Sequence, residues 1–225
     1  MCGRYTLYSN KKAIENQFDV EIPDDMLLTP RYNITPGSNT PVVLTEGTSD
    51  RIINTLKWGL TISENEKRTG TSSRTQIDDQ SLFQNSVLRK LFQRRRCIIP
   101  ANGFYEWKDF GDHKLPFYIR LLDQEIFGMA GIYDISIDKN GNKVKTFAIL
   151  TTTANALIQP LHEQMPVILL KKDYTYWLDP VQSQSEPISS LLQPYPTEYM
   201  SAFKVSSDVN NPELDQPELI NPKLR

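Results

Sequence analysis

The stretch from Cys97 to Thr152 constrains the fold more than any other part of the chain. It contains four apolar segments of strand length, Cys97–Pro100, Phe117–Leu121, Ile126–Tyr133 and Val144–Thr152, separated by charged or turn-forming residues. Lys139-Asn-Gly-Asn142, between the last two, is a hairpin signal, because Asn and Gly accept the positive φ that tight hairpin turns demand. Upstream, Arg4–Tyr8, Val42–Thr45 and Ile52–Trp58 read as strands, with Glu46–Asp50 as a candidate hairpin loop, and Ala202–Val205 reads as a late strand. The helices are few. Lys11–Phe18 is a short one, with Ile14 and Phe18 a turn apart, and Ser81–Arg95 is amphipathic, with Phe83, Val87, Leu88, Leu91 and Phe92 recurring at helical spacing. Shorter helices are expected at Asn155–Leu161, Lys172–Leu178 and Glu186–Leu192, before a tail after Asn210 rich in Pro and Asn. This mixture predicts an α+β protein whose sheet is mostly antiparallel.

A length of 225 residues suits one large domain or two small ones, and 39% apolar with 23% charged residues is an ordinary globular balance. The chain has no apolar run long enough for a membrane helix and no secretory signal pattern, so the expected location is cytoplasmic, with no membrane partner. Two cysteines do not make a disulfide framework and fit a reducing compartment. No CxxC and no His pair at ligand spacing appears, so neither a cysteine zinc site nor any other metal or cofactor is expected. The net charge of −2 gives no overall pull on nucleic acid, so any such contact requires a local basic patch. Arg89, Lys90, Arg94, Arg95 and Arg96, at the end of the Ser81–Arg95 helix, offer one. They equally suit cations complementing a helix C-terminus.

Three positions carry possible chemistry. Cys2 follows the initiator Met. Once that Met is lost, one residue holds an α-amine with an ordinary pKa of about 7.7–8.0 and a thiol of about 8.5. Such a residue can condense with an aldehyde to a Schiff base and close through sulfur to a five-membered thiazolidine, with the gain of an intramolecular reaction. Taken alone, Met-Cys equally describes a small buried cysteine. Glu106 lies in Asn102-Gly-Phe-Tyr-Glu-Trp-Lys108. Buried among Phe104, Tyr105 and Trp107 its pKa would rise into the range useful for acid–base work, whereas on an amphipathic surface strand it would do nothing special. His162, in Leu161-His-Glu-Gln-Met-Pro166, sits where a loop meets an apolar strand and is a candidate proton carrier. His113, in Gly111-Asp-His-Lys114, reads as a solvated loop residue.

Taken together, the segments resemble the SRAP family of abasic-site shielding proteins along nearly the whole chain. The resemblance runs through Met1-Cys-Gly-Arg-Tyr5, Arg31-Tyr-Asn-Ile-Thr-Pro-Gly37, Leu56-Lys-Trp-Gly-Leu60, Arg96–Lys108, Gly128–Tyr133, Thr151–Asn155, His162–Leu169, and Val205–Asn210 leading to Pro217–Ile220. It implies a single domain over residues 1–225 with a barrel-like sheet core and peripheral helices. It also implies a monomer whose partner is single-stranded DNA carrying abasic sites, and a covalent thiazolidine crosslink through Cys2 after self-removal of Met1. By the same resemblance Glu106 and His162 move protons, and Ser72 takes the place of the amide near the cysteine. Arg4, Arg74 and Thr151 would contact phosphates, and Trp107 or Phe104 would stack on a base. This chain departs from the family pattern at Ser72 and Gln76, where the family has Asn and Glu, and at Gln164, where it has Arg. Two other readings stay open: a cysteine-dependent peptidase or hydrolase using the Cys2 thiol with His162, and a degenerate module that binds single strands without covalent chemistry.

Overall fold

The computed structural model describes residues 3–46, 50–62, 73–137, 140–179 and 186–223. Its centre is a ring of five strands: β3 (Asn39–Thr45), β4 (Arg51–Trp58), β6 (Arg96–Ala101), β9 (Phe127–Ile137) and β10 (Lys143–Thr153). β3 pairs with β4 and β6, β6 with β9, and β9 with β10, all antiparallel; β10 then closes on β4 in parallel, at Thr146–Lys57 and Phe147–Trp58. The expected barrel-like, mostly antiparallel core is therefore present. Cys97–Ala101 of β6 and Phe127–Tyr133 of β9 are buried on both faces, as their unbroken apolar runs require.

Beyond Gly131, β9 and β10 part company, and the segment that follows His162 fills the fork. β11 (Gln164–Pro166) pairs with β10 and β12 (Ile168–Leu169) with β9. Val167 between them donates to Leu150 O at 2.9 Å and accepts from Ala130 N at 2.8 Å. The short strand β5 (Gln76–Asp78) lies parallel to β10 on its other side.

A second sheet has the order β13–β8–β7–β1–β2, all antiparallel, formed by β13 (Met200–Lys204), β8 (Lys114–Leu121), β7 (Gly103–Asp109), β1 (Arg4–Leu7) and β2 (Arg31–Ile34). β6 runs into β7 through Asn102, so one continuous segment passes from the barrel into this sheet. Asn102 pins the bend. Its Oδ1 accepts from the backbone of Tyr8 (2.7 Å) and Ser9 (3.1 Å), and its Nδ2 donates to Ser9 Oγ (2.7 Å) and Glu125 O (2.9 Å). At Gly103 any Cβ would run into the Tyr118 phenol, which accounts for glycine there.

Helix α1 (Lys11–Phe18) has the predicted bounds, capped by Asn10 and burying Ile14 and Phe18. The helix expected over Ser81–Arg95 is instead two, α2 (Asp79–Gln84) and α3 (Ser86–Arg94), because Asn85 takes an extended conformation between them. Its Oδ1 accepts from Val87 N and Leu88 N, so it caps the second helix while ending the first. Replacing Asn85 by alanine should lower stability by about 1 kcal/mol, read as a lower urea midpoint with an unchanged slope. Asn155–Leu161 is a turn and not a helix: Asn155 Oδ1 accepts from Leu157 N and Ile158 N while its Nδ2 donates to Tyr195 O. A 3-10 turn at Lys171–Asp173 leads into α4 (Tyr174–Leu178), and Glu186–Leu191 is also 3-10.

The strands around Glu46–Asp50 and Lys139–Asn142 pair as hairpins, at Thr45–Arg51 and Ile137–Lys143; residues 47–49, 138 and 139 lie outside the described part. The segment after Asn210 is not a loose tail, since Leu219 is buried and Asp215 pairs with Arg31. Among the described residues no helix is long and apolar enough to cross a membrane.

Candidate active site

Strand alternation divides β7 into two faces. Phe104 belongs to the main core between sheet and barrel, whereas Tyr105 belongs to a smaller cluster with Tyr118, Val205, Val209 and Leu219, against which Trp107 packs. Glu106 therefore shares the Phe104 face, as the pleat requires. It is 1% exposed, and burial raises its carboxyl to a pKa of about 7, with nearby positive charge and the Trp107 backbone N–H pulling the other way. The surface reading of Glu106 is thus excluded. β1 runs antiparallel beside it, with Arg4 opposite Tyr105 and Tyr5 opposite Phe104. One step further along that ladder brings Gly3 level with Glu106.

His162 lies half-buried on the turn before β11, and burial holds its pKa below the usual imidazole range. Its Nδ1 stands 3.1 Å from the Gln164 N–H and 3.2 Å from the Gln164 carbonyl oxygen. A neutral ring accepts from the first and a protonated ring donates to the second, so both charge states have a partner in one position. Thr151, buried on β10, donates its hydroxyl to Gln164 Oε1 at 3.2 Å. Thr151, His162 and Gln164 are thus brought together. The sequence pattern marks Gln164 only as a departure from arginine; in the fold its main chain orients the histidine while its side chain accepts from Thr151.

Arg74 is exposed, and its backbone bridges Leu60 in both directions at 2.8 and 3.0 Å. This lays Ser73–Thr75 beside Trp58, whose indole N–H donates to Thr75 O. Gly59, at φ +134°, has no room for a Cβ because the Ser73 hydroxyl fills that place. Trp58 stacks on Phe147 and meets the edge of Tyr5, so β1, β4 and β10 share one packed junction. Cys2 and Ser72 lie outside the described residues.

Two expected base-stacking residues are separated. Phe104 is fully buried in the main core and has no ring surface to offer a base, which corrects its assignment. Trp107 is partly exposed but faces away from Glu106, its indole donating to Asn210 Oδ1 at 2.8 Å. Arg4 is also engaged within the protein, donating to Asn33 Oδ1 and Val209 O at 2.7 Å.

The basic end of the helix divides between its two readings. Arg96 is buried and donates to the carbonyls of Phe92, Gln93, Trp177 and Asp179, and Arg95 pairs with Asp134; Arg89, Lys90 and Arg94 are exposed. Cys97 is buried with its thiol pushed far up, which makes it inert. His113 is exposed and pairs with Asp112. Among the described residues no cluster of His, Cys, Asp and Glu could hold a metal ion.

A family model described as SOS response associated peptidase (SRAP) matches residues 1–212. The chain is 35% identical over 223 residues to the abasic site processing protein YoqW of Bacillus subtilis, covering 98% of this chain and 99% of that one. It is 26% identical to the abasic site processing protein HMCES of Xenopus tropicalis, over 84% of this chain and 65% of that one. Among solved structures, a protein from Bacteroides thetaiotaomicron superposes with a TM-score of 0.85 at 27% identity, covering 99% of this chain and all of the other.

Proposed function

The chain belongs to the SRAP family, and from that premise we propose that it processes abasic sites in DNA by capturing the ring-opened sugar of an unpaired strand on Cys2. The observation that carries the reading is the buried Glu106, with its pKa of about 7, at the level to which β1 delivers Gly3. Cys2 is one peptide unit away, within about 3.8 Å of Gly3 between Cα atoms.

Capture begins with loss of Met1. Hydrolysis of the first peptide bond consumes one water and leaves Cys2 with a primary amine. That amine adds to the sugar aldehyde, and the resulting carbinolamine expels its hydroxyl as water after gaining a proton, which gives a Schiff base. The sulfur then bonds to the same carbon while its proton passes to the imine nitrogen. The net change is aminothiol plus aldehyde to thiazolidine plus water, with no redox partner.

Each step moves a proton near neutrality. At a pKa of about 7 Glu106 is half protonated at pH 7, so it can give the proton that releases water and later take one back. His162, held neutral by burial and oriented by Gln164, relieves the thiol of its proton. Arg74 stands exposed for a phosphate. Ser72 supplies a hydroxyl donor in place of an amide. The chain acts as one domain, as a monomer, in the cytoplasm. His162 is held by the main chain at position 164, so glutamine in place of arginine leaves its partners intact, which supports retained chemistry over a degenerate binding module.

Intact mass of the purified protein, with and without a single-stranded oligonucleotide carrying one abasic site, tests the proposal. The expected masses lack Met1 and rise by one oligonucleotide less one water. Retained Met1, or an unchanged mass after incubation, overturns it.

A further inference from the structure

Behind the candidate site, on the face of the second sheet away from Glu106, the two ends of the chain are clasped together. Asn33 is the centre of the clasp and is 1% exposed. Its Oδ1 accepts from Arg4 Nη1 at 2.7 Å, while its Nδ2 lies 2.7, 3.0 and 3.3 Å from the carbonyls of Leu214, Asn211 and Val209. The same Arg4 nitrogen donates to Val209 O at 2.7 Å. Asp215 closes the arrangement, its carboxylate accepting from the backbone N–H of Tyr32 and Asn33 and pairing with Arg31.

Resting on the capture reading above, we infer that Asn33 and Arg4 are positioning residues for the amino terminus: they hold the start of β1 against β7 and so aim Cys2 at the reacting carbon. Arg4 is two residues from Cys2, a span of about 7 Å at most. A guanidinium held by an amide and a backbone carbonyl fixes the strand it grows from, because each bond restricts a separate direction of movement. This assigns Arg4 to the protein's own geometry and not to the DNA backbone. A misplacement of about 1 Å at a reacting group can cost on the order of 100-fold in rate.

The test separates rate from affinity. Arg4→Lys keeps the charge and loses the fork; Asn33→Asp keeps an acceptor for Arg4 and loses the donors to the three carbonyls. Both variants are compared with the parent protein in single-turnover capture of abasic single-stranded DNA. Affinity is measured on the same strand carrying tetrahydrofuran, which has no aldehyde. The expected result is a maximal capture rate about 10- to 100-fold lower, with tetrahydrofuran-strand affinity and its salt dependence unchanged. Weaker affinity for the tetrahydrofuran strand with an intact maximal rate would make Arg4 a phosphate ligand and overturn the inference; an unchanged rate overturns it as well.

Amide hydrogen exchange over Arg4–Leu7 keeps the two proposals distinguishable. If the parent protein forms no covalent product, the capture reading fails by itself. The clasp is then judged by whether exchange at Arg4–Leu7 speeds up in the variants while α1 stays protected; equal exchange refutes it. Should Asn33→Asp not fold, Arg4→Lys carries the same comparison.

Discussion

With Cys2 replaced by alanine, abasic single-stranded DNA is expected to run free of protein on a denaturing gel. The substitution removes sulfur and leaves the α-amine, since alanine is small enough for Met1 to be lost by ordinary aminopeptidase action. The amine still forms a Schiff base, but hydrolysis returns it, and no second bond closes on the carbon. Ring closure by a neighbouring thiol gains an effective concentration on the order of 10⁵ M or more over a free thiol, so the difference between parent and variant is all-or-none on a gel. Borohydride, which reduces an imine to a stable amine, should restore the band in the alanine variant. An uncleavable extension ahead of Cys2 should abolish both products, because the nitrogen is then an amide. A stable band from the alanine protein without reductant would remove sulfur from the chemistry.

Glu106→Gln is the second large effect, and it works in opposite directions on rate and on stability. The amide matches the carboxyl in shape but neither gives nor takes a proton at neutral pH. Loss of a general acid–base typically costs on the order of 10²- to 10⁴-fold. In the parent protein the rate follows the product of protonated Glu106, which declines above about pH 7, and free amine, which grows up to about pH 8. The profile is therefore bell-shaped. The glutamine variant should lose the descending alkaline limb and climb to a plateau.

For stability, the folded state holds the Glu106 proton more tightly than the unfolded chain does, since burial lifts the pKa from 4.5 to about 7. Its contribution is complete below pH 4.5 and disappears as pH rises through 7. The variant should thus match the parent at pH 4 and exceed it at pH 8 by up to about 3 kcal/mol, measured by urea unfolding at the two pH values. A parent protein with no stability advantage for the amide at pH 8 would mean that Glu106 ionises without cost.

Much of this was legible locally. The apolar runs from Cys97 to Thr152 gave strands because each is bounded by turn chemistry, and α1 matched to the residue because Asn10 caps it and Phe18 closes its apolar stripe. The pleat of β7 was legible too: residues 104 and 107 differ by an odd number, so alternation alone places Phe104 and Trp107 on opposite faces. The break at Asn85 was harder, because the apolar spacing continues smoothly across it while a single side-chain cap decides the backbone. Gln164 reads as a missing charge because its side-chain bond to Thr151 depends on strand pairing. Asp215 carried no local signal whatever, its partner Arg31 being 184 residues away.

That distance governs the order of assembly. Arg4 meets Val209 across 205 residues, so this contact encloses almost the entire polypeptide, and contacts of such long range are entropically the slowest to form. During synthesis β1 finds β2 and β7 as soon as they emerge, but the Arg4 guanidinium gains its carbonyl at Val209 only once that late segment has left the ribosome. A product that stops short of Val209 is therefore expected to hold the start of β1 by its two strand ladders alone, without the grip of the guanidinium.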